Sequence, residues 1–233
     1  MRKLGLVIYR WYRTASAFLA IFLVATVADV LLPARDQSAV AAWASTSLAN
    51  LEHHPVGSLL LSAFIAGGAV SAWPVLIALA LFGANRAAGN LRLAVICLAG
   101  HVIGTLVSEG IVACRIDAGL LPVSSRHLLD VGPSYVVVSA IVVALALGSW
   151  PARMAAATGL AVLVFGGHIF AGLNSLDVAA VGHVTALAVA VVAVLPTWVR
   201  RARPGKPHGT GGAGEPGCSA RERAAGQPSW GLA

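Results

Sequence analysis

The chain has 233 residues, 58% of them hydrophobic and only 11% charged, with a mean hydropathy of +0.83. A soluble domain carries about 25% charge, so a soluble globular reading is excluded. The net charge of +7 does not point to nucleic acid. The basic residues gather at the ends of apolar runs, where they set membrane topology, and they are not interleaved with aromatics along a groove.

Apolar runs near 20 residues recur along the sequence. Each is long enough to cross a hydrocarbon core of roughly 30 Å as a helix, and a helix satisfies its own backbone hydrogen bonds in lipid. The pattern predicts an all-α polytopic membrane protein with six transmembrane helices. Residues 1–14 read as a basic cytoplasmic N-terminus, 15–199 as one membrane domain, and 200–233 as a cytoplasmic tail. That tail is rich in Gly, Pro and Ala and has too little apolar area to offset its ordering entropy, so it reads as disordered.

Arg2, Lys3, Arg10 and Arg13 precede the first run, Ala15 to Pro33. The run is longer than most signal cores and no convincing small-x-small cleavage site follows it, so it reads as an uncleaved span, with Trp11 and Tyr12 at the inner interface. Asp29 is expected to face water or a neighbouring helix. In the first outer loop, Ala41 to Leu51 reads as a short surface helix. His53 and His54 point to different sides and read as a wet interfacial pair. Val56 to Gly83 is interrupted by Gly67-Gly68 and Pro74, which predicts a half-buried outer segment and then a span from about Ala69 to Gly83. Asn85, Arg86 and Arg92 form a basic inner turn.

Leu93 to Ala113 is the third predicted span, with His101 near mid-depth, Glu109 two turns later, and Gly100 and Gly104 as a small-xxx-small pair. Cys97 and Cys114 fall on this one helix, too far apart to pair, and no disulfide framework follows. The fourth span runs from Val131 to Trp150. The fifth runs from Met154 to Leu173, with Gly166-Gly167-His168 towards its outer end. The last runs from Val178 to Val199 and carries His183. Arg153, Arg200, Arg201, Arg203 and Lys206 join the inner basic set, while Arg35, Arg115 and Arg126 lie outside. Six spans with both termini in the cytoplasm satisfy the positive-inside bias; five or seven would put one basic terminus outside.

Depth along the helices singles out two residues. Ser134 lies about 5 Å below the outer end of span four, and His183 about 8 Å below that of span six, at 1.5 Å per residue. Gly132 and Ser139 on one helix, and Ala179, Gly182 and Ala186 on the other, would let the two spans approach. A serine becomes a useful nucleophile beside a base, and imidazole has the right basicity at neutral pH. The same residue types also serve as ordinary packing and hydrogen-bonding groups between membrane helices. His168 is the rival partner for Ser134. A third reading gives His101, Glu109, His168 and His183 a metal- or proton-handling role as intramembrane ionisable groups. Their spacing matches no metal signature, so neither a metal nor another cofactor is expected.

Gly132-Pro133-Ser134-Tyr135 resembles the G-x-S-G nucleophile motif of the rhomboid family of intramembrane serine proteases. Gly182-His183-Val184-Thr185-Ala186 resembles the family's sixth-helix segment, and the polar approach Asn174 to Asp177 is also similar. The resemblance spans about Leu48 to Pro196. It implies a six-helix bundle with an outward-opening wet cavity, and cleavage of a substrate's membrane segment through an acyl-enzyme on Ser134 with His183 as base. It implies transmembrane protein substrates or clients as partners, in the bilayer of the cell membrane. Tyr135 stands where the motif usually has glycine. Ala66 to Leu79 lacks the His and Asn that usually help bind the oxyanion, a support role for which Gly132, His101 and His168 are the candidates. An inactive relative that binds membrane segments without cutting them is therefore the alternative.

Overall fold

The computed structural model describes residues 11–66 and 72–202, and among these the chain is helical without strands. The helices are α1 (Arg13–Val30), α2 (Ala34–Ala44), α3 (Leu48–His53), α4 (Pro55–Leu61), α5 (Trp73–Ala88), α6 (Asn90–Asp117), α7 (Ser134–Leu147), α8 (Trp150–Ala161) and α9 (Val178–Ala202). The basic residues before position 11, the Gly67-Gly68 interruption and the tail from 203 lie outside the described residues. Proline opens several helices in the first turn, where its missing N–H costs nothing: Pro55 in α4, Pro74 in α5 and Pro151 in α8.

Among the described residues three helices are long and apolar enough to cross a membrane: Arg13–Val30, Asn90–Asp117 and Val178–Arg200. The other apolar helices are shorter. The 14 residues of α7 span about 21 Å at 1.5 Å per residue. Its burial explains how so short a helix fits the fold. Eleven of those residues are buried, because α7 packs against α5, α6, α8 and α9. A helix ringed by protein needs no full apolar match to lipid. Its Val, Ile and Ala residues make the centre of the hydrophobic core, against Ile77 and Leu81 of α5 and Ile96 of α6.

Close approach between these helices uses small residues, as expected where lipid removes the usual hydrophobic drive between helices. A Cβ added at Gly104 of α6 would sit 3.0 Å from the Gly182 carbonyl oxygen of α9. A Cβ at Gly100 would collide with the Ser139 hydroxyl of α7. At the other end, Asn85 joins three segments. Its Oδ1 accepts from the Ala15 N–H at 2.9 Å, and its Nδ2 donates to the Trp11 carbonyl and to Asn90 Oδ1, each at 3.0 Å. Arg92 crosses from α6 to donate to the Ala193 carbonyl of α9 at 3.0 Å.

The structure differs from the sequence expectation in two places that matter. The loop after α1 holds two helices broken at Ser45–Ser47, where one short helix over Ala41–Leu51 was expected. The fifth helix begins at Trp150 and ends early. After Ala161 it widens into a π-turn over Val162–Gly166. His168 then takes a positive φ of 48°, and the chain runs irregularly to α9. Gly166-Gly167 mark the break: a Cβ at Gly167 would lie 2.9 Å from the Leu163 carbonyl oxygen.

Candidate active site

Gly132 begins the turn into α7. Its φ of 133° lies where only glycine is at ease, and its N–H donates to the Ser62 carbonyl at 2.8 Å. Pro133 is the N-cap residue and offers no side-chain cap. Ser134 is therefore the first residue of a helix whose opening N–H groups lack intrahelical partners. It is half-buried, and its hydroxyl makes no hydrogen bond among the described residues.

His183 sits in the second turn of α9 and is buried. Its Nδ1 lies 2.9 Å from the Ile169 carbonyl. A carbonyl only accepts, so Nδ1 carries the proton and Nε2 the lone pair. That Nε2 is buried without a hydrogen-bond partner among the described residues. The irregular segment after the π-turn brings the Ile169 carbonyl against the imidazole.

Ser134 and His183 line one cavity of about 330 Å³, together with Asp130, His168, Asp177 and Trp73. No hydrogen bond joins the serine to the histidine. Asp177 caps α9 by accepting from the Ala179 N–H at 3.1 Å. His168 is exposed at the cavity wall.

His101 is not part of this cavity. Its Nε2 lies 2.9 Å from the Leu59 carbonyl and 3.2 Å from the Ser62 hydroxyl, and it lines a separate apolar cavity beside α1. The Tyr135 ring packs near both histidines, its centroid 5.9 Å from that of His101 and 5.0 Å from that of His183. Gly132 is close to the serine, but its N–H is already committed to Ser62. Glu109 is buried on α6 away from the cavity. Among the described residues no group of three or more His, Cys, Asp or Glu could hold a metal.

Sequence reasoning missed the role of Asp130. It is buried, and its carboxylate accepts from Tyr135 and Thr46, each at 3.1 Å. Its backbone N–H donates to Ser45 Oγ at 2.9 Å, and its carbonyl accepts the Thr46 N–H at 3.0 Å. This knot ties the break between α2 and α3 to the entrance of α7. Burial raises the Asp130 pKa, hydrogen bonds from Thr46 and Tyr135 oppose that, and the Asp177 charge adds to it. The available signal was an acidic residue two positions before a Gly-Pro helix start.

The described residues form a helical bundle with three helices long and apolar enough to cross a membrane, and a serine of α7 and a histidine of α9 line one of its cavities. A family model described as "Rhomboid-like protein" matches residues 10–203, and the chain belongs to that family. No curated protein and no solved structure matches it.

Proposed function

We propose that the protein is an intramembrane serine endopeptidase that crosses the cell membrane six times, with both termini in the cytoplasm, and cleaves membrane-embedded segments of other proteins. The observation that carries this reading is the state of His183: Nδ1–H bound to Ile169, and a bare, buried Nε2 in the residue that shares a cavity with Ser134. The topology rests on the apolar helices and on the distribution of basic residues, with Arg86, Arg92, Arg153 and Arg200 on the cytoplasmic side.

In this mechanism His183 Nε2 takes the Ser134 hydroxyl proton as Oγ attacks the scissile carbonyl carbon. The N–H groups at the start of α7 stabilise the oxyanion, helped by the positive end of the helix dipole. The imidazolium returns the proton to the leaving amine as the C–N bond breaks, which leaves an acyl-enzyme on Ser134. Water entering the cavity, deprotonated by the same nitrogen, hydrolyses the ester and regenerates the hydroxyl. Catalytic hydrogen bonds often tighten only when substrate is bound, so the open Ser134–His183 pair suits a resting enzyme.

The same open pair favours a second reading, a pseudoprotease that holds membrane segments of client proteins without cutting them. One experiment separates the two. A model transmembrane substrate, co-reconstituted with wild type or Ser134→Ala, is followed for cleavage and for co-purification. The protease reading expects cleavage by wild type alone. Uncut substrate bound equally by both proteins supports the binder and rejects the protease.

A further inference from the structure

At the end of the bundle opposite Ser134 the helices leave an apolar slot. Helix α8 packs on α5 and α7, and α9 packs on α6 and α7, but α8 and α9 do not pack closely on each other. Between them is a cavity of about 440 Å³ floored by α7, with Val142 and Leu145 below, Leu160 on one side, and Val191, Leu195 and Trp198 on the other. Every lining residue is apolar apart from the indole N–H of Trp198. A guanidinium lies beside the slot. Arg153, exposed in the first turn of α8, donates from Nη2 to the Ala146 carbonyl at 3.4 Å, and Ala146 lines the same slot. The exposed rings of Trp150 and Trp198 mark this end of the bundle, as tryptophans do at a membrane–water interface.

Size and charge together decide the occupant. A volume of 440 Å³ holds about fifteen methylene-sized groups if each takes about the 30 Å³ share of a water molecule. That is one acyl chain. A helix, about 10–12 Å across, is too large. A guanidinium at the mouth of an apolar slot pairs with a phosphate. We propose that the slot holds one acyl chain of an anionic phospholipid, with Arg153 on its headgroup phosphate. The lipid completes the interface that α8 and α9 do not make directly. This site is independent of whether Ser134 is a nucleophile.

The test uses the full chain, released from bilayers of equimolar phosphatidylglycerol and phosphatidylcholine with matched acyl chains and weighed by native mass spectrometry. Wild type is expected to keep one phosphatidylglycerol, favoured over phosphatidylcholine by about fivefold, the scale of one basic residue's attraction to an anionic headgroup. Arg153→Gln is expected to keep a lipid and lose the preference. Leu145→Trp fills the slot from its floor and is expected to retain neither lipid. Val191→Trp does so from the more exposed wall and guards against misfolding of the first variant. Equal retention of the two lipids by wild type overturns the proposal. So does an unchanged preference in Arg153→Gln, or undiminished retention in a folded slot-filling variant.

Discussion

The ring of Tyr135 stands edge-on to the imidazole of His183, with centroids 5.0 Å apart and planes at 80°. The residue after the proposed nucleophile is therefore a wall for the proposed base. Its hydroxyl reaches past the histidine to the buried Asp130 carboxylate. Room for the ring comes from Gly182, where a Cβ would collide with the phenol, and from Gly104, where a Cβ would lie 3.5 Å from Tyr135 Cδ2. Tyrosine at this position is built into the fold.

Replacing Tyr135 should accordingly destabilise the protein, even where the change restores the glycine of the family motif. Tyr135→Phe leaves the Asp130 carboxylate short of a donor and should cost about 1–3 kcal/mol. Tyr135→Gly also opens a cavity between α6, α7 and α9 and should cost roughly 3–5 kcal/mol. Unfolding midpoints of the purified variants in one detergent check the order wild type, Phe, Gly.

Glycines on α6 and α9 should divide by what faces them. Gly182→Ala drives a methyl into the Tyr135 ring and should destabilise by about 1–3 kcal/mol. Gly110 of α6 has nothing within 4 Å of an added Cβ. Gly110→Ala should therefore be neutral or stabilise by up to about 1 kcal/mol through helix propensity. The same unfolding assay reads both, and equal effects would remove the packing argument.

Asp130 should give stability a pH dependence of known sign. Its folded-state pKa is raised, chiefly by burial, so the folded protein holds this proton more tightly than the unfolded chain does. Its contribution is present in full below the ordinary carboxylate pKa of about 3.9. It is lost as the pH rises through the raised value. Asp130→Asn stays neutral throughout. The stability difference, wild type minus Asp130→Asn, should therefore fall as pH rises across that window, as measured by unfolding midpoints. A difference that is flat or rises with pH contradicts the assignment.

Much of this was legible in the sequence because length and depth are one-dimensional. Apolar runs located the main helices, and counting 1.5 Å per residue put Ser134 and His183 at similar depth, where the structure has them lining one cavity. Direction around a helix axis was harder to read. His101 also lies deep in the bundle, but it lines a different cavity beside α1, and no spacing rule reveals which way a side chain turns. The early end of the fifth helix was half-visible in Gly166-Gly167. Its consequence, a carbonyl at Ile169 that fixes the His183 tautomer, depends on how the irregular segment folds back. The Asp130 knot joins residues about 85 positions apart, a separation that local pattern does not bridge.

His183 and His168 both line the cavity of Ser134, yet only His183 is buried with its Nδ1–H tied to a carbonyl. His168→Ala should therefore leave Ser134 reactivity within a few-fold of wild type. Removing the base should cost about 10²–10⁴ in rate.

The most direct measurement is the rate at which a fluorophosphonate probe labels Ser134 in the reconstituted protein, located by mass spectrometry. The account predicts labelling of wild type and His168→Ala, a loss of about a hundredfold or more in His183→Ala, and none in Ser134→Ala. Labelling that is absent from folded wild type, or that proceeds equally fast without His183, would contradict a hydrolytic pair in this cavity.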